Sequence, residues 1–146
     1  MKPNAFLHEL DNDRITAAIF AAEERSRGEI RVHVTDRTVD DVQAAARAQF
    51  EKLEMTKTAQ RNGVLIYVAP ASQKFAIIGD KGIHEKCGPE FWTTVAAAME
   101  TDFRAGRFTE GILDGVEAAG VQLARLFPRE GGPPDVNELP DDVTRD

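Results

Sequence analysis

The sequence predicts an α/β protein, a three-layer α/β/α sandwich on a small mixed β-sheet. Three observations carry that expectation. GEIRVHVT at 28–35 alternates apolar and polar residues, the period of a strand with one buried face. VLIYVA at 64–69 is an unbroken apolar run, which suits a central strand covered on both faces. Stripes at helical spacing stand before, between and after these segments. Strand, helix and strand in that order imply a right-handed crossover and a parallel pair.

Each element has its own signal. Ile15, Ala18, Ile19 and Ala22 form one face of a first helix, capped by Asp11 or Asp13 and ended by Gly28. Ile30, Val32 and Val34 line the buried side of the first strand, with Glu29, Arg31 and His33 on its polar side. Thr38 with Asp41 resembles a capping box, and Val42, Ala45, Ala46, Phe50 and Leu53 make the stripe of a second helix. Pro70–Ser72 then makes a short turn after the apolar strand, and KFAIIGD at 74–80 returns antiparallel to it. Pro89 suits a first helical position, with Trp92, Val95, Ala96, Met99 and Phe103 on one face behind it. Thr109 is placed to cap a last helix, stapled by Phe108 and Leu113 and striped by Ile112, Val116, Ala119, Gly120, Leu123 and Phe127. Gly111 and Gly115 let that helix approach the sheet.

The chain of 146 residues reads as one domain at 1–130 and an acidic, Pro- and Gly-containing flexible tail at 131–146. The net charge is −7, and more than half of it falls in 129–146, so the folded body is nearly balanced. An acidic total argues against nucleic acid as a partner. A single Cys excludes an intramolecular disulfide. The longest uncharged stretch, Asn62 to Gln73, has 12 residues, against the roughly 20 a membrane helix needs. The first residues carry acids where a signal peptide has an apolar core. The expectation is a soluble, cytoplasmic chain that does not span a membrane. GxxxxGK(S/T), GxGxxG and GxSxG are all absent, so no nucleotide cofactor is expected and no hydrolase mechanism is spelled out.

The topology gathers chemistry at one sheet edge. An antiparallel second and third strand bring Gly79 and Asp80 beside Arg61, Asn62 and Gly63, with Lys81 and His84 on the following glycine-rich loop, 79–88. Backbone N–H groups there, with Arg61, Lys81 and His84 as a clamp, suit an anion. Asp80, the Asn62 side chain and nearby carbonyls suit calcium or magnesium. The plain alternative is a tight turn with Gly at positive φ and Asp80 capping its own loop. Asp36, past the end of the first strand with Ser72 nearby, is a second candidate metal ligand or acid. Cys87 has neither a partner triad nor a second Cys for a zinc site with His84. His33 reads as surface or interlayer packing.

The ordered set GEIRVHV, MTKTAQRNGVLIYVAP, KFAIIGDKGI, FW and a glycine-containing last helix ending LFP resembles the TPM domain family, over residues 11 to 128. That family is named for a thylakoid-lumen phosphatase, a photosystem II repair protein and a nematode receptor modulator. The resemblance implies an α/β/α sandwich, calcium binding or acid phosphatase activity, and an accessory role in assembly or repair. It points to Asn62, Gly63, Gly79, Asp80 and Gly82 as the ligand loop. The implied partner is a protein or a phosphorylated small molecule. The chain resembles a shorter, soluble branch, without the signal peptide, membrane helix or Gly-rich tail common in the family.

Overall fold

The computed structural model describes residues 11–26, 28–57, 61–88, 90–128 and 143–145. Along them run α1 (Asn12–Glu24), β1 (Glu29–Val34), α2 (Val42–Lys52), β2 (Gly63–Ala69), β3 (Lys74–Gly79), α3 (Lys81–Cys87), α4 (Glu90–Arg104), α5 (Phe108–Leu126) and β4 (Thr144–Arg145). The strands form one mixed sheet in the order β3-β2-β1-β4. β1 and β2 are parallel, with Val32 opposite Ile66. β3 is antiparallel to β2, with Ile77 opposite Ile66.

The alternation of strand side chains sets the layers. Ile30, Val32, Val34, Val64, Ile66 and Val68 face the core shared with α1, α4 and α5. Leu65, Tyr67, Ala76 and Ile78 face the second core, closed by Ala46 and Phe50 of α2 and by Met55. β2 is buried at every position, as its unbroken apolar run requires; each large aliphatic side chain so buried is worth about 1.5–3 kcal/mol.

The caps differ in detail from their sequence signals. Asp11 caps α1 by accepting from the Arg14 N–H at 3.1 Å. Asp41, not Thr38, caps α2, accepting from Ala44 N–H at 3.1 Å. Gly28 does not end α1, whose C-cap is Arg25. It is small because Leu123 lies where its Cβ would be, at 2.7 Å. Thr109 lies inside α5 and its hydroxyl accepts from Asp11 N–H at 3.1 Å, tying the starts of two helices together. Gly111 and Gly115 open room chiefly for α4: added Cβ atoms would meet the Phe103 ring and the Met99 sulfur, each at 2.6 Å. Pro89 lies outside the described residues.

Two expectations about irregular chain are corrected. The segment read as a loop, 79–88, holds helix α3 from Lys81 to Cys87. Asp80 starts it by accepting from Lys81 N–H at 2.8 Å, and Ile83 anchors it in the core. Neither Gly79 nor Gly82 has positive φ. Of the tail expected as flexible, 131–142 and 146 lie outside the described residues, but 143–145 are not loose chain. Thr144 and Arg145 extend the sheet beside His33 and Val34, and Val143 packs on the main core. β1 has an edge to satisfy on the side away from β2, and this short strand satisfies part of it.

Candidate functional site

The antiparallel turn of β3 on β2 brings the predicted loop residues together. Asp80 N–H donates to Gly63 O at 3.0 Å and Gly82 N–H to Arg61 O at 2.9 Å. Arg61 then grips the Asp80 carboxylate with two bonds, Nε to Oδ2 at 2.6 Å and Nη2 to Oδ1 at 2.8 Å. Asp80 is 5 % exposed and the Arg61 side chain 39 %. The hydrogen bond to Asp80 raises the Arg61 pKa further, partly offset by burial. Planar, two-point pairing of this kind is the strong form of a carboxylate ion pair. Arg61 holds φ at +51°, a left-handed conformation that non-glycine residues seldom adopt. The strain sits where the loop must turn the guanidinium back onto Asp80.

This geometry changes what the loop can do. Both oxygens of Asp80 are engaged by N–H donors, and the side of Arg61 expected to clamp an anion is turned onto Asp80. Asn62 is buried beside it, and Lys81 is exposed. His84 lies in α3, its side chain outside the described residues, as is that of Cys87. Gly79 is needed for a different reason: the Trp92 ring lies 2.1 Å from the place its Cβ would take.

Asp36 is not part of this arrangement. It is exposed, beyond the opposite end of β1. Six strand residues at about 3.3 Å each put the two aspartates roughly 20 Å apart. Ser72 does reach that end, where its hydroxyl accepts from Val39 N–H at 2.9 Å and pins the loop before α2. Among the described residues, no three His, Cys, Asp or Glu side chains group closely enough to hold a metal ion.

Sequence reasoning missed a buried polar row. Glu29, Arg31 and His33, on the side of β1 expected to be polar, are no more than 5 % exposed. His33 stacks on Tyr67, with ring centroids 5.5 Å apart and planes 18° from parallel. Its Nδ1 lies 2.8 Å from Thr144 Oγ1, whose own proton goes to Val32 O at 3.2 Å. A charged strand face beside a central apolar strand is the only trace of this row in the sequence.

The sequence pattern that defines the TPM domain matches residues 1–122. The chain belongs to the TPM domain family. The NMR structure of the BA42 protein from the psychrophilic bacterium Bizionia argentinensis is similar to this TPM domain at 40% identity and a TM-score of 0.85, over 92% of each chain. The solution NMR structure of an N-terminal domain from P. gingivalis shares the fold at 14% identity and a TM-score of 0.65, over 79% of this chain and 74% of that one. No curated protein matches. No helix among the described residues is long and apolar enough to cross a membrane.

This TPM domain carries a second polar cluster that the sequence did not announce, where α4 meets α5. Arg107 donates to Asp102 Oδ1 through Nε at 3.2 Å and Nη2 at 3.0 Å. Asp114 shares a hydrogen bond with Asp102, and that bond, with burial, pushes Asp114 up to about 6. The same bond, reinforced by Arg107, holds Asp102 below the usual carboxylate range. Below about pH 6 the two facing carboxylates keep one proton between them. The raised pKa of Asp114 gives stability that is complete below its unfolded value of 3.8 and is lost as pH rises through about 6. Asp114→Asn keeps a hydrogen bond without the charge. It is expected to raise Tm at pH 7 and flatten Tm against pH between 3.8 and about 6. Parallel melting curves for the two proteins would refute the shared proton.

Proposed function

We propose that the chain is an accessory or assembly module of the TPM type, and that its divalent-cation site, calcium foremost, is the Asp80 loop in competition with Arg61. The observation that carries this is the state of Asp80: a buried carboxylate whose charge is balanced by a half-exposed guanidinium on a strained loop. A guanidinium so placed occupies the position a bound cation would take. Asp80, the Asn62 side chain and loop carbonyls form the oxygen donor set a hard cation needs once Arg61 turns outward. One carboxylate supports only weak affinity, about 10⁻⁴–10⁻³ M as in low-affinity calcium modules.

The alternative is metal-assisted hydrolysis of phosphomonoesters. It requires a carboxylate free to take a proton or to hold a metal with an open position. Even with Arg61 turned outward Asp80 is a single carboxylate, and the other candidate acid, Asp36, stands beyond the opposite end of β1. Binding without turnover is the reading these positions favour.

Calcium titration followed by amide chemical shifts, beside an assay of a generic phosphomonoester, tests both. Shifts centred on residues 61–63 and 79–82 are expected, lost in Asp80→Asn and strengthened in Arg61→Gln, with no turnover. Turnover abolished by Asp80→Asn in a folded protein would establish the enzyme instead. Absence of calcium shifts in both the native chain and Arg61→Gln would remove the cation site.

A further inference from the structure

β3 is the outermost strand of the sheet, and among the described residues nothing pairs with its free edge. Asp80 N–H donates across to Gly63 O. Antiparallel ladders alternate, so Ala76 and Ile78 turn their backbone groups toward β2. Phe75, Ile77 and Gly79 turn theirs outward. Soluble proteins usually guard such an edge with charge, proline or a bulge. The stretch from Phe75 to Gly79 carries no charge and no proline, and the strand's lone cation is Lys74 at its start.

The edge lies at the floor of a groove. Gln43 and Arg47 of α2 stand on one side, Trp92 and Ala96 of α4 on the other, and with the strand they enclose about 390 Å³. At Phe75 this joins a second hollow of about 450 Å³ that reaches Lys74, Phe103 and Phe108. The walls differ in chemistry. Arg47 is exposed and makes no ion pair among the described residues. Among the described residues, Lys74 Nζ is held only by the Asp40 carbonyl, at 3.0 Å. The α4 wall presents Trp92 and Ala96 at the first hollow and, at the second, Phe103 beside Glu100, whose charge is paired with Arg104.

We propose that this groove takes an extended acidic segment of a partner protein, which adds as a further strand on β3. Outward N–H and C=O groups at Phe75, Ile77 and Gly79 supply the backbone ladder. Side chains of an added strand alternate between the walls, so acids fall toward Arg47 and apolar residues toward Trp92 and Ala96. A second copy of this chain fits poorly. Pairing two β3 edges would bring the overhanging helices of both copies together and set Arg47 and Lys74 against their own kind. The groove supplies the partner contact that an accessory module needs and in that sense rests on the proposed function. The two share only the Gly79 backbone: the groove uses none of the Arg61, Asn62 or Asp80 side chains, so shifts at Phe75 and Ile77 without calcium tell the two apart.

The test is a titration, without added calcium, using a capped seven-residue peptide of alternating valine and glutamate. Trp92 is the chain's single tryptophan, so its fluorescence reports the groove directly. The expected result is a change in Trp92 emission with amide shifts and slowed hydrogen exchange at Phe75, Ile77 and Gly79. A lysine-for-glutamate peptide should bind at least about tenfold more weakly. A peptide N-methylated at alternate residues should not bind, and Arg47→Glu, confirmed folded by its amide spectrum, should reverse the charge preference. Equal binding of the two charge variants, shifts that map elsewhere, or no binding at about 1 mM (a ceiling of roughly −4 kcal/mol) would each overturn the proposal. So would protection of the same amides that grows with protein concentration in the absence of peptide, because the occupant would then be a second copy.

Discussion

Asp80→Ala is expected to destabilise the domain by about 3 kcal/mol, the scale for removing a buried, charge-assisted hydrogen-bonded partner. Three bonds end on that carboxylate: two from Arg61 and one from Lys81 N–H. Their loss detaches the loop before β2 and uncaps α3 in one step. Arg61 is half-exposed and can turn to water, which limits the damage to the site itself. For a chain of this size the change corresponds to a drop in Tm of roughly 10 °C. Asp80→Asn keeps one acceptor oxygen and should lose less. A double-mutant cycle with Arg61→Gln separates the two contributions, since the capping bond to Lys81 survives in Arg61→Gln. A loss below about 1 kcal/mol for Asp80→Ala, the level of an exposed ion pair, would show that the pair does not hold the loop.

Gly120→Val should cost a similar amount, about 3 kcal/mol, for a steric reason. A Cβ at Gly120 would sit 2.7 Å from the Ala22 Cβ. Ala22 has no rotamer to change, so α1 and α5 must move apart along a contact that buries Ile15, Ile19, Val116 and Leu123. Gly115 offers the control. There the obstructing atoms are the Met99 Sδ and Cγ at 2.6 and 2.7 Å, on a flexible side chain. Gly115→Ala should therefore be much milder than Gly120→Ala in urea unfolding. Equal losses would mean that the helix spacing is set elsewhere.

The parts of the fold that were legible in the sequence share one property: the side-chain period is the cause of the structure. β1 and β2 sort their side chains between two cores, and α1, α4 and α5 bury one stripe each. The meeting of Arg61 with Asp80 was legible too, because it follows from the direction of β3 on β2. What the sequence concealed depends on long-range partners. α3 has Ile83 as its anchor in an otherwise polar, glycine-containing segment, so no periodic stripe reveals it. β4 is two residues in an acidic tail, and only the open edge of β1 makes it a strand. Glu29, Arg31 and His33 look like a solvated face because alternation cannot distinguish water from a buried polar layer. The binding of Arg61 to Asp80 was similarly ambiguous: spacing brought cation and anion together without saying that they would satisfy each other.

The contact between His33 and Thr144 spans 111 residues. β1 is thus completed by a segment made 111 residues after it. At about 5–20 residues per second the nascent chain carries β1 for roughly 6–20 s before its outer neighbour exists. During synthesis the His33 side of the sheet is open to whatever waits at the exit tunnel, and the vulnerable interval for this domain is set by translation speed.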